Sequence, residues 1–333
     1  MFIPESYTLA VILCVVTMLC WGSWANTQKL ASKSWSFPLF YWDYSLGIIL
    51  CSLIFGVTLG STGETGRSFF TDLSQAEMSS FVSAFLGGVV FNLANLMIVA
   101  AIDIAGMAVA FPVGIGIALA LGVIVNYVAT PIGDPIQLFL GVGLVIIAIV
   151  LDALAYKQKS SMNATTPTRG IVYAVIGGVM MAFFFRLVAS SVSLDFQNPQ
   201  AGLFTPYSAV FVFSIGIFIS NFVWNSFFMF RPVSGEPVSY GDYFTKGDAK
   251  THAIGVLGGV IWCIGMNLSM IASEKAGFAI SYGLGQGATM VAAAWGVFIW
   301  KEFTSSNQST KRLINLMFVC FVAGLALIII SRG

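Results

Sequence analysis

Charge is what this chain has least of. Only 9% of its 333 residues are Asp, Glu, Lys or Arg, whereas 58% are apolar. Soluble domains carry roughly 25% charged residues, and a water-facing surface around a chain this long needs more charge than is present. There is one histidine, His252, and no His-Glu-x-x-His run, which excludes a zinc protease and argues against a Ser-His dyad. The five cysteines (Cys14, Cys20, Cys51, Cys263, Cys320) include no Cys-x-x-Cys pair and all fall within apolar runs. They read as small core residues, so no disulfide framework, metal site or cofactor is expected. No Gly-x-x-x-x-Gly-Lys-[Ser/Thr] run occurs, since residues 63–68 read GETGRS, and ATP is not the expected energy source. The net charge of +1 offers nothing to nucleic acid.

Long apolar runs are what the chain has instead. Runs of 18 or more recur throughout, each long enough to cross about 30 Å of hydrocarbon. Ten transmembrane helices are expected, at roughly 7–30, 38–60, 80–102, 105–128, 135–156, 170–192, 204–230, 249–273, 277–300 and 312–331. The first has no basic n-region and no small-residue cleavage site, so it reads as a helix rather than a signal peptide. No link is long enough for a soluble domain. The expectation is an all-α, multi-pass protein of the inner or plasma membrane, with residues 1–333 as a single transmembrane domain.

Lysine and arginine set the expected orientation. With both termini outside, the cytoplasmic links hold Lys29, Lys33, Lys157, Lys159, Arg169, Arg231, Lys246, Lys250, Lys301, Lys311 and Arg312. Only Arg67, Lys275 and Arg332 then lie outside, eleven against three. Sliding the chain by 171 residues lands Gly87-Gly88-Val89 on Gly258-Gly259-Val260, Gly106 on Gly277, and Gly114 and Gly116 on Gly285 and Gly287. Five helices per half is an odd number, so two halves (about 1–160 and 165–333) must enter the membrane in opposite directions. Inverted repeats of this kind recur in secondary transporters, with the substrate site near the midplane. Glycine matching through general membrane packing is the plainer alternative.

Polar residues within the helices are few and share faces. Thr17, Trp21, Trp24 and Gln28 follow one stripe of the first helix, and Asn92 and Asn95 share a face of the third. Asn221, Trp224 and Asn225 do so on the seventh, and Tyr282, Gln286 and Thr289 on the ninth; Trp262 of the eighth joins the binding set. Aromatic planes with neutral amides suit a small polar solute such as a sugar, ureide or nucleobase. The alternative is that amides join helices and tryptophans anchor at the interface. Pro112 and Gly114-x-Gly116 are expected to break the fourth helix or to permit close approach. A charge inside a span costs about 2.5–3.5 kcal/mol on insertion scales, so each needs a reason. Arg186 is read as a ligand contact or as a side chain snorkelling towards Asp195. Asp43 is the proton-coupling candidate, or else it steadies the start of its helix.

Several stretches carry a resemblance: Trp24 in WGSWANTQKL, YWDYSLG with Asp43-Tyr44, FFTDLSQ (69–75), GGVVFNLANL (87–96) and AWGVFIWKEF (294–303). In these the chain resembles the plant ureide permeases and, more distantly, the bacterial glucose/ribose and rhamnose uptake families of the drug/metabolite transporter superfamily. The resemblance implies ten helices in two inverted five-helix halves and uptake of a small polar solute, often with protons. The plant proteins have a long link after the fifth helix, where residues 157–169 here are short. An exporter or exchanger on the same fold is the alternative function. An intramembrane enzyme lacks its catalytic pairs.

Overall fold

A computed structural model describes residues 1–31, 35–159 and 168–332. The link 157–169, expected on the cytoplasmic side, falls largely outside them. Among the described residues the regular structure is helical, apart from one isolated bridge between Val192 and Phe204. The helices are α1 (Tyr7–Ser23), α2 (Ala25–Leu30), α3 (Phe37–Val57), α4 (Phe69–Gln75), α5 (Met78–Ala105), α6 (Met107–Ala129), α7 (Pro135–Lys159) and α8 (Thr168–Ser190). Then come α9 (Pro206–Asn221), α10 (Trp224–Phe230), α11 (Tyr240–Lys246), α12 (Ala249–Ala276), α13 (Phe278–Gly285), α14 (Ala288–Ala294), a π turn (Trp295–Ile299) and α15 (Gln308–Ile330).

Hydrocarbon offers the backbone no hydrogen-bond partners, so an apolar run must satisfy its own N–H and C=O groups, and the helix does this. Among the described residues nine helical stretches are long and apolar enough to cross a membrane, counting α1–α2 and α9–α10 as one each. They carry large apolar side chains outward, for example Leu140 (59% exposed) and Val319 (63%), as lipid requires. Starts are capped where the sequence allows: Ser6, Asp248 and Asn307 each accept a hydrogen bond from the backbone N–H three residues on.

The expected ninth helix (277–300) differs. It is interrupted at Gln286-Gly287, leaving α13, α14 and the π turn in place of one continuous span. Gly283, Gly285 and Gly287 alternate here, which removes helix propensity, and the backbone is pressed against α1 instead. The fourth helix departs the other way. α6 runs unbroken through Pro112, and Gly114 provides a close approach, its carbonyl 2.5 Å from where a Cβ on Gly178 of α8 would sit.

Packing follows one pattern twice. α5 crosses α8 and α9, while α12 crosses α1 and α3; α6 lies along α8, while α13 and α14 lie along α1; α7 pairs with α15. Gly106 and Gly277, which end α5 and α12, have φ/ψ of 76°/157° and 84°/152°. Only glycine adopts that conformation without strain, so each can turn sharply into the next helix.

Candidate functional site

The interior is built on aromatic rings brought together from α1, α3, α5 and α12. Trp21 slots between two glycines: a Cβ on Gly265 would lie 2.6 Å from its ring, and one on Gly285 2.8 Å. Its Nε1 donates to the Trp262 carbonyl (3.2 Å), and the two rings stack at 5.8 Å. Trp262 in turn packs on Phe91 at 4.5 Å. One turn along, Trp24 sits at the junction of α1 and α2 and covers the ring of Tyr44 at 4.7 Å. Tyr44 stacks on Tyr41 at 5.1 Å, and the Tyr41 hydroxyl accepts a hydrogen bond from Asn95 Nδ2 (3.2 Å).

This box has polar groups left over. Among the described residues the Tyr44 hydroxyl is fully buried and has no hydrogen-bond partner. The half-buried Trp24 has an indole N–H that donates to nothing among the described residues. A buried unpaired hydroxyl costs roughly 1–3 kcal/mol, so it invites a partner that is not part of the protein. Ring faces with free donors and acceptors at their edges are what a small polar solute needs. Gly116 of α6 is buried, yet a Cβ there would meet nothing within 4 Å, so there is interior space beside α6. A cleft of about 120 Å³ also starts one turn beyond Tyr41 and Asn95, lined by Pro38, Leu96, Val99, Asp103, Met229 and Ser234. It is separate from the box, which its own side chains fill.

Other residues singled out from the sequence are placed differently. Asn92 donates to the Ile217 carbonyl (3.1 Å) and Ser220 Oγ (2.8 Å), which joins α5 to α9. Thr17 donates to the Gly265 carbonyl (2.9 Å). The buried Tyr282 hydroxyl bonds the carbonyls of Ala118 (3.1 Å) and Met181 (3.3 Å), which ties α13 to α6 and α8. Gln286 caps α13 at the interruption, its side-chain amide unbonded among the described residues, and the half-buried Gln28 is likewise unbonded. Asn225 donates to the Pro38 carbonyl (2.9 Å), so part of the seventh-helix set serves packing. Arg186 is half-buried on α8 and makes no ion pair or hydrogen bond among the described residues; Asp195 instead accepts from the backbone of Gln197 and Asn198.

Asp43 is 1% exposed, in the second turn of α3. Tyr243 of α11 donates its hydroxyl to Oδ1 at 2.5 Å, and His252 of α12 holds the same oxygen through Nδ1 at 2.9 Å. Trp35 packs against both rings. Among the described residues Asp43 takes no bond from the first amides of its own helix. The sequence alone pairs neither His252 nor Tyr243 with Asp43. The signal available was the rarity of histidine, a single residue in the whole chain.

Membrane-crossing helices around an aromatic, amide-edged interior define a multi-pass membrane protein. The chain belongs to the ureide permease family, whose model matches residues 40–169 and 157–331. It is 24% identical to ureide permease 1 of Arabidopsis thaliana, covering 100% of this chain and 99% of that one. It is 18% identical to a protein of Enterococcus faecalis named "Putative sugar uptake protein", over 94% and 95% of the two chains. A solved crystal structure shares the fold with a TM-score of 0.62 at 14% identity, over 96% of this chain and 95% of that one. Relatives named as permeases move solutes rather than transform them, so the protein is a transporter and not an enzyme.

Proposed function

We propose that this transporter imports a small neutral polar solute, a monosaccharide or a ureide- or nucleobase-like compound, by alternating access coupled to protons. The observation that carries the reading is the aromatic box, with the unpartnered Tyr44 hydroxyl and Trp24 indole beside Asn95. Its uncharged lining favours a neutral solute, and the names of the relatives span ureide and sugar transport. In this reading a shift of the side chains that fill the box admits the solute, which stacks on Trp24 and Trp262, is hydrogen-bonded by Tyr44, Asn95 and Gln286, and leaves along the cleft past Pro38 and Val99. Arg186 faces the solute path from α8.

The ten crossings form two inverted five-helix halves within one domain, with both termini outside the cell membrane. The recurring packing pattern and the matched Gly106 and Gly277 turns support this. A few polar contacts hold the end of α1 and α2 to the segment after α14. Trp295 Nε1 donates to Ser23 Oγ (2.9 Å), Trp300 Nε1 to Asn26 Oδ1 (2.7 Å), and Lys29 pairs with Glu302 at 3.4 Å. The partly exposed Lys29–Glu302 pair is worth about 0–1 kcal/mol and a neutral hydrogen bond about 0.5–1.5 kcal/mol, weak enough together to open in every cycle. Asp43 carries the coupling proton.

The test is a thermal-shift screen of the purified protein against monosaccharides, ureides, nucleobases and nucleosides. A solute present at 100 times its dissociation constant should add about 2.7 kcal/mol of stability. Stabilisation by charged metabolites alone would contradict the proposal.

A further inference from the structure

His252 connects a buried carboxyl group to the charged surface of the 231–250 link. Through Nδ1 it holds Asp43, whose side chain is 1% exposed, while the His252 side chain is 28% exposed. The far edge of the ring lies against Gly247 just after α11, where a Cβ would fall 2.4 Å from Nε2. One ring thus meets the buried acid with one nitrogen and the surface turn with the other. Tyr243 fixes the shared Asp43 oxygen, and Trp35 packs edge-on against the imidazole at 4.9 Å, so the ring is held in register. An imidazole can accept a proton on one nitrogen while releasing one from the other.

We propose that His252 relays the coupling proton between Asp43 and the aqueous side of the 231–250 link, an inference that rests on the proton-coupled reading above. On release, Nε2 loses its proton to water while Nδ1 takes the proton of the Asp43 carboxyl group. One proton leaves, and an Nε2–H ring facing a carboxylic acid becomes an Nδ1–H ring facing a carboxylate. Reloading reverses the step. Tyr243 is a positioning residue.

The other titratable groups on the surrounding elements are otherwise engaged or distant in the fold. On α11, Asp242 pairs with Lys246 at 2.9 Å; on α12, Asp248 caps the Thr251 amide, with Lys250 beside it. α3 adds Tyr41 and Tyr44, engaged in the box. α9 and α10, packed on α3, carry no charged residue, and neither do α1 and α13, packed on α12. α2 meets α12 through Thr27, which lies against Gly258, and its Lys29 pairs with Glu302.

A single histidine makes the test direct, because 15N-histidine labelling of the full chain gives signals from one ring. In nanodiscs titrated from pH 4.5 to 8.5, the nitrogen shifts should show the switch from Nε2–H to Nδ1–H, and Asp43→Asn should abolish it. In proteoliposomes, with radiolabelled glucose and allantoin as sugar and ureide probes, a one-unit pH gradient should sustain about tenfold accumulation for one proton per neutral solute. His252→Gln should reduce that ratio to near one and keep counterflow exchange. Gly247→Ala, which crowds Nε2 but leaves the ring titratable, should shift the pH profile. If Asp43→Asn uncouples while His252→Gln accumulates like the parent and the ring keeps one tautomer, the relay is overturned and coupling through Asp43 stands. If both variants accumulate with the parent's pH profile, proton coupling at this site fails altogether. Should His252→Gln not fold, the parent's titration and Gly247→Ala decide: an unswitched tautomer with an unmoved pH profile overturns the relay.

Discussion

Gly88 and Gly259, 171 positions apart, each lie against a backbone carbonyl of the helix they cross. A Cβ on Gly88 would sit 2.0 Å from the Phe213 oxygen, and one on Gly259 1.9 Å from the Tyr44 oxygen. The first contact sets α5 on α9 and the second sets α12 on α3, so the box depends on both. No flexible side chain can yield there, because the obstacle is backbone.

Alanine at either glycine should therefore destabilise the protein by at least the roughly 1–3 kcal/mol typical of overpacking. Gly143 on α7 is the control, since a Cβ there meets nothing within 4 Å. Gly143→Ala should be neutral or stabilise by up to about 1 kcal/mol. Thermal unfolding in detergent reads the difference; equal effects at all three positions would remove the close-crossing argument.

A second prediction concerns the FFTDLSQ stretch. Asp72 is fully buried, accepts from the backbone and hydroxyl of Thr205 (2.8 and 3.0 Å), and faces Arg67 at 3.3 Å. Arg67 also donates to the carbonyls of Pro199, Gln200 and Leu203, fastening α4 to the link before α9. Burial pushes the Asp72 pKa up, and hydrogen bonds and the arginine pull it back only in part. A raised carboxyl pKa favours the fold at low pH and costs stability as pH rises through it. Arg67→Ala removes one of the groups that oppose the rise. Its loss of melting temperature should be largest at pH 8 and shrink towards pH 5. A gap that does not vary with pH would mean that Arg67 acts only through its carbonyl contacts.

Orientation is tested by labelling. In a background lacking the native cysteines, a cysteine at the exposed Thr62 should react with impermeant thiol reagents added to intact cells, and one at the exposed Glu236 should not. The reverse pattern would invert the topology.

Much of the architecture was legible because lipid imposes a simple rule on composition. Apolar length marks the spans, and glycine spacing marks matching close crossings such as those at Gly88 and Gly259. The interruption at Gln286-Gly287 was not legible: hydropathy reads 277–300 as one helix, and the same alternation of glycines at Gly114 and Gly116 leaves α6 unbroken. The site was legible only in part, because side-chain direction depends on neighbours distant in sequence. Asn92 and Asn95 stand one turn apart in the same motif, yet one bonds α9 and the other Tyr41. Asp43 and His252 are 209 residues apart, and no local pattern joins them. Tyr44 adjoins Asp43 in the sequence, whereas its hydroxyl stands beside Trp24, unpaired among the described residues.

Counterflow kinetics compared across Trp24→Ala and Asn92→Ala test the aromatic box most directly. With the solute identified by the thermal screen, Trp24→Ala should raise KM about tenfold or more, equivalent to roughly 1.4 kcal/mol of lost stacking, with melting near the parent's. Asn92→Ala should lose roughly 1–3 kcal/mol of stability through its broken helix contacts and keep the parent's KM. A parental KM in Trp24→Ala, with solute affinity lost in Asn92→Ala, would contradict the box between α1, α3, α5 and α12 as the binding site.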